Sequence, residues 1–223
     1  NLAKWFVDGE NYFSDLFEKL MAAKESIFIT DWWLSPEVYL KRPVDYGEYT
    51  TMAYQNRDAK EYEPFSRLMD VLNEVAKKGV QVYILIYCEM SLALTLNSKH
   101  SKTALVNLHQ NIKVTRHPKD AFDLLWSHHE KLVVIDQQIG YVGGLDLCWG
   151  RFETNEHPLY EPTNKENKYM FPGIDYSNAR ICDFTNVGEY LRESVPRETT
   201  CRMPWHDVHI RLEGPVVADI ARH

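Results

Sequence analysis

Several things are scarce in this chain of 223 residues. Cysteine occurs four times, at Cys88, Cys148, Cys182 and Cys201, widely spaced and never as C-x-x-C. That excludes a dense disulfide scaffold and predicts free, mostly buried thiols in a reducing compartment. No apolar run approaches the ~20 residues that a membrane-spanning helix needs, and no secretory leader pattern is present. Lys and Arg are scattered rather than blocked, the net charge is −7 and the pI is about 5.7. Such a field is poor for a nucleic-acid binder, and no nucleic-acid partner is expected. There is no H-E-x-x-H and no second ligand pair at zinc spacing, so neither a metal nor another cofactor is expected.

What is present is an ordinary globular balance, 44% hydrophobic and 26% charged, enough for one large domain or two small ones. Residues 11–24 place Phe13, Leu16, Phe17, Leu20 and Met21 on one helical face. Residues 26–31 (SIFITD) read as a buried strand, and Pro36 marks a loop after it. A helix is predicted from Pro64 to Lys78, closed by Gly79. VQVYILIY (80–87) reads as a strand, 101–109 as a helix and 112–117 as a strand. LVVI (132–135) and IGYVGG (139–144) form two more strands around a short turn. HDVHIRLEG (206–214) alternates with period two, and a helix opens at Pro215. Segments 41–62 and 153–200 are weakly patterned and read as loops or insertions, the second as a long surface excursion. The alternation of strands and helices predicts an α/β fold with a mixed central β-sheet flanked by helices. Both ends look like cuts, at Asn1 and within the helix ending Ala221-Arg222-His223, so residues 1–223 are expected to be one lobe of a longer protein.

The stretch S-H-H-E-K-L-V-V-I-D (127–136) attaches costly polar groups to a core-like run. Read as a strand, it turns His129 and Lys131 to one side and Leu132 and Val134 to the other. The strand is then a rigid mount for an imidazole and an ammonium side by side. A neighbouring cation favours neutral imidazole, the nucleophilic form, and attracts a phosphate oxygen. Gly143-Gly144 leaves room for a substrate or another backbone.

His129-x-Lys131-x4-Asp136 followed by Gly143-Gly144 resembles the signature of the phospholipase D superfamily. DWWLSPE (31–37), LWSHHEK (125–131), GGLDLCWGRF (143–152), NEH (155–157), FPGIDYSN (171–178) and RMPWHDV (202–208) extend the likeness over nearly the whole chain. They resemble the N-terminal half of the catalytic region of eukaryotic phosphatidylcholine-cleaving phospholipases D, the type with phox-homology and pleckstrin-homology modules upstream. The resemblance implies a two-lobe enzyme working through a phosphohistidine. His129 would be the nucleophile, Lys131 would bind the non-bridging oxygens, and Asp136 would orient or support the site. Ser127, Gly143, Gly144, Asp146 and Trp33 are expected around the substrate. A second histidine from a second H-x-K-x4-D copy would protonate the leaving alcohol and activate water.

This chain holds one copy only: His117-x-Lys119 is followed by Leu124 where the aspartate should stand, and His206, His209 and His223 have no lysine two residues on. The partner expected is therefore a C-terminal catalytic half. A phospholipid membrane surface is also expected, contacted peripherally from the cytoplasm through the Trp- and Tyr-rich segments near 32–62, with phosphoinositide activators possible in such a family. Two alternatives stay open: a nuclease or phosphatidyl transferase of the same superfamily, and a half that binds lipid phosphate without turning it over.

Overall fold

The computed structural model describes residues 1–45, 66–89, 94–117, 126–166, 168–177 and 189–223. Its centre is a seven-stranded sheet. In chain order these strands are β1 (Leu2–Val7), β2 (Ser26–Asp31), β4 (Gln81–Tyr87), β5 (Ile112–His117), β6 (Leu132–Ile135), β7 (Ile139–Gly143) and β9 (Val208–Glu213). The spatial order is β1-β9-β7-β6-β2-β4-β5. β2, β4 and β5 run parallel, while β6, β7, β9 and β1 pair antiparallel. β3 (Val44–Asp45) and β8 (Lys168–Tyr169) form a separate two-stranded ladder.

Register explains the core. Ile27 pairs with Val82 and Ile135, and Ile29 pairs with Ile84 and Val133. These side chains share one face and join a single buried cluster with Tyr12, Phe13, Leu16 and Leu20 of α1 (Gly9–Met21) and with Val71, Leu72 and Val75 of α2 (Leu68–Lys77). Leu105 of α3 (Ser98–Val106) closes the same layer. α4 (Val217–Ala221) packs on β6 and β7, and a Cβ at Gly140 would lie 2.7 Å from Ile220 Cδ1. Helices thus flank the mixed sheet as the patterning predicts. The predicted helix of 101–109 lies at 98–106, and Gly79 after α2 takes the left-handed conformation (φ 102°) expected of a helix terminator. Pro64 lies outside the described residues.

One strand is added to the expected elements and two expectations are corrected. β1 is a strand that the sequence hides: it is an edge strand with Leu2, Trp5 and Val7 exposed, so burial imposes no alternation on it. Of the 41–62 segment, predicted as an exposed loop or insertion, Val44 is core and pairs with Tyr169 in the β3–β8 ladder and Arg42 is half-buried, while 46–62 lie outside the described residues. The 153–200 segment is a surface excursion only in part. Residues 159–160 and 162–166 are exposed, but Glu153 is fully buried in an ion pair with Arg202 (2.8 Å), and Arg202 also donates to Pro158 O and lies over Phe171. Arg197 bonds Glu161, Glu193 and Phe171 O, and Asp175 pairs with Arg42. A polar composition concealed a second, ionic core, because buried charges persist only when paired and hydrogen-bonded. Among the described cysteines, Cys88, Cys148 and Cys201 are free; Cys148 is buried but Cys201 is exposed.

Candidate active site

β6 starts at Leu132, so His129 and Lys131 precede the ladder rather than belong to it. Thr30, next to the end of β2, pairs with Leu132, which brings Lys131 opposite Asp31. Lys131 is 6% exposed. Its Nζ donates to His129 O (3.1 Å) and pairs with Asp146 Oδ1 (3.0 Å). An ammonium has three donors, so one N–H remains after these two partners. His129, by contrast, is an exposed side chain whose ring lies 5.2 Å from that of Trp32. Partial burial and, next, the Lys131 charge hold the His129 imidazole below its ordinary proton affinity. That favours the neutral, nucleophilic form at neutral pH.

Asp146 organises the cation side. It accepts the Trp33 N–H (3.0 Å), and Arg151 Nε stands 3.6 Å from its other oxygen. Arg151 in turn stacks over Trp205 at 3.6 Å. Asp31 accepts the N–H groups of Trp32 and Leu147, cross-strapping the end of β2 to the segment after β7. Burial first, and the Asp146 charge second, push the Asp31 carboxyl well above the carboxylate range. That shift favours the protonated form of Asp31; the carboxyl that pairs with the Lys131 ammonium is Asp146.

Beneath them is His209, 1% exposed and stacked on Tyr12 at 3.9 Å. Neither of its ring nitrogens has a hydrogen-bond partner among the described residues. Burial pushes its pKa down to about 3, so it is neutral.

The predicted residues separate into groups. His129, Lys131 and Asp146 come together. Ser127 is exposed in the segment leading to His129. Trp33 belongs to the hydrophobic core, and its neighbour Trp32 is the one that faces His129 and Lys131, with Lys131 Nζ 5.5 Å from its ring. Gly143 makes room for β9 and Gly144 for a side chain: a Cβ at Gly143 would lie 2.5 Å from Val208 O and from His209 Nδ1, and one at Gly144 2.0 Å from Asp207 Oδ1. Asp136 stands at the far end of β6. Its carboxylate accepts N–H groups from Lys24, Glu25 and Ser26 at 2.8–2.9 Å, clasping the turn between α1 and β2. It supports the scaffold rather than the chemistry. Asp31, Trp32, Arg151 and His209 were missed as site residues, although Asp31, Trp32 and Arg151 lie inside the motifs DWWLSPE and GGLDLCWGRF.

An α/β sheet that presents a histidine and an anchored lysine at one rim, with a paired carboxyl group behind them, defines the H-x-K-x4-D class of proteins. The chain belongs to the phospholipase D family: the family model "Phospholipase D" matches residues 19–223. It is 42% identical over 223 residues to phospholipase D zeta 2 of Arabidopsis thaliana, covering 99% of this chain and 19% of that protein. It is 40% identical over 225 residues to phospholipase D1 of Saccharomyces cerevisiae, covering 100% of this chain and 12% of that protein. Against phospholipase D2 of Bos taurus the identity is 38% over 244 residues, covering 100% and 24%. The chain thus spans about a quarter or less of these relatives. Among solved structures, NucT from Helicobacter pylori shares the fold, with a TM-score of 0.51, 13% identity and coverage of 99% of this chain and 91% of that one.

Proposed function

We propose that this chain is the nucleophile-bearing lobe of a phospholipase D that hydrolyses phosphatidylcholine to phosphatidic acid and choline. The observation that carries the reading is the contrast between an exposed, neutral His129 and a buried, anchored Lys131. A neutral imidazole nitrogen attacks phosphorus while the P–O bond to choline breaks. The choline oxygen takes a proton from a histidine of a C-terminal half carrying the second H-x-K-x4-D motif. That histidine then removes a proton from water, whose oxygen displaces His129 and releases phosphatidic acid. A primary alcohol in place of water gives a phosphatidyl alcohol. Lys131 uses its remaining N–H on a non-bridging oxygen, and the fixed Asp146 keeps that donor aimed where charge develops.

The lobe works peripherally at a cytoplasmic membrane face, with phosphoinositides as candidate activators. Trp126, 76% exposed and three residues before His129, is the aromatic best placed to enter the headgroup layer. Trp33 is core and residues 46–62 lie outside the described residues, so the contact foreseen near 32–62 moves to this segment.

The test is phosphatidylcholine vesicles with 1-butanol, comparing this chain with one extended past His223, each with and without His129→Ala. Phosphatidylbutanol from the extended chain alone, lost in the variant, supports the reading. Activity of the 223-residue chain itself would assign the second histidine to a partner subunit. No product from either would remove the proposal.

A further inference from the structure

Asp8, His157 and His206 meet from three distant parts of the chain. Asp8 precedes α1, His157 lies in the segment after β7, and His206 leads into β9. His157 Nε2 is 2.7 Å from Asp8 Oδ2, and His206 Nδ1 is 2.8 Å from Asp8 Oδ1. One donor atom from each residue lies within 4.8 Å of the others. The geometry points to a site for a divalent ion of the zinc type, held by two imidazoles and one carboxylate.

Three features favour an ion over a simple hydrogen-bonded cluster. First, Asp8 occupies the cap position of a 13-residue helix, yet its side chain makes no capping bond; the carboxylate turns to the imidazoles instead. It does so at φ 63°, and His157 sits at φ 46°, conformations that cost non-glycine residues energy. Second, Asp8 is 1% exposed. Its carboxyl group is shut away from water, and a divalent cation would offset the charge of a buried carboxylate. Third, the His206 side chain is 67% exposed, and such an exposed pair contributes little by itself. Exposure lets it swing inward: nitrogens and oxygens around tetrahedral zinc lie ~2.0–2.2 Å from the metal and hence about 3.3 Å apart. Two nitrogens and one oxygen suit zinc, cobalt or nickel better than calcium or magnesium. The fourth position, on the His206 side, faces solvent.

The ion's role is structural. Asp8 bonds Asp207 twice: its backbone N–H donates to Asp207 O (2.8 Å), and its Oδ1 accepts the Asp207 N–H (3.2 Å). Asp207 underlies Gly144, and Trp205 stacks on Arg151. An ion here pins the 205–207 segment against the rim of the active site. No linear spacing announces it, because the ligands are 149 and 198 residues from Asp8.

The test is calorimetric titration of chelator-treated chain with zinc chloride, with thermal melting in parallel. The expected result is one equivalent per chain and a rise in Tm. Loss of a partner behind a metal ligand already costs ~10–100-fold in affinity, so His206→Ala, which removes an exposed ligand and leaves the fold intact, weakens binding at least that much. Asp8→Asn does the same where it folds, and His129→Ala keeps the wild-type affinity. No zinc uptake, uptake that His206→Ala leaves unchanged, or uptake lost in His129→Ala instead would overturn the site. These outcomes are independent of the lipid-hydrolysis reading, since none measures turnover.

Discussion

Lys131 acts on His129 in two ways, by touching its carbonyl and by adding charge beside its ring. Burial is the larger cause of the lowered imidazole affinity, and Lys131 comes next. Removing the cation with Lys131→Met therefore raises the His129 pKa. The neutral fraction at a given acidic pH falls, and the acid limb of activity moves to higher pH. An NMR titration of His129 in the isolated chain checks the direction, and a shift downward would contradict it. His209 carries the opposite consequence, for stability. Its folded pKa of about 3 lies below the ordinary value of 6.5, so the unfolded chain binds the proton first. Stability is intact above pH ~6.5 and falls by about 1.4 kcal/mol per pH unit from there toward pH ~3. His209→Phe, which can keep the stack on Tyr12, should flatten that slope by one proton in urea titrations at pH 6, 5 and 4. His129, Lys131 and Asp136 were legible because one short motif spells them. Asp31, Arg151 and His209 were not, since they reach the site from the end of β2, the segment after β7 and the start of β9, and no spacing relates them. Asp136 shows the converse: it stands in the motif, yet its partners are backbone N–H groups 110–112 residues away.

Between residue and molecule stand the joints of the elements. Asp136→Ala leaves three N–H groups of the α1–β2 turn without their acceptor. Bonds to a charged acceptor are each worth ~1.5–3 kcal/mol, so a net loss of about 2 kcal/mol or more is expected, with His129 titrating as before. Urea unfolding and the His129 NMR signal together distinguish this from a catalytic role. Gly144→Ala should destabilise as well, because its Cβ would fall on Asp207 Oδ1. Short β-branched or apolar runs made β2, β4, β5, β6 and β7 readable, period-two alternation β9, and helical patterning α1 and α2. β1 escaped because its outward side chains are apolar and exposed, and β3 and β8 because two residues carry no period.

At the scale of the whole molecule, two kinds of core coexist. One is apolar and runs from the sheet into the segment after β7 through Phe152, Phe171, Ile174 and Tyr176; the other is ionic and ties that same segment together through Arg197 and Arg202. Glu153→Gln leaves the Arg202 guanidinium buried without its counter-charge, and breaking a buried pair costs ~3–5 kcal/mol. Limited proteolysis between 158 and 200 should accelerate in this variant before the sheet melts; unchanged cleavage would return that segment to the surface. Strand order has a further consequence, in the time domain. β6 and β2 lie in the interior of the sheet, bonded on both sides, whereas His129 and Lys131 lie just outside the ladder. Amide protons of Val133 and Val134 should outlast those of residues 126–130 in hydrogen exchange by the gap between global unfolding and local opening. The pair proposed to do the chemistry is thus mounted across a step in local stability: Lys131 is buried at the edge of the sheet's interior, and His129 stands exposed just beyond the ladder.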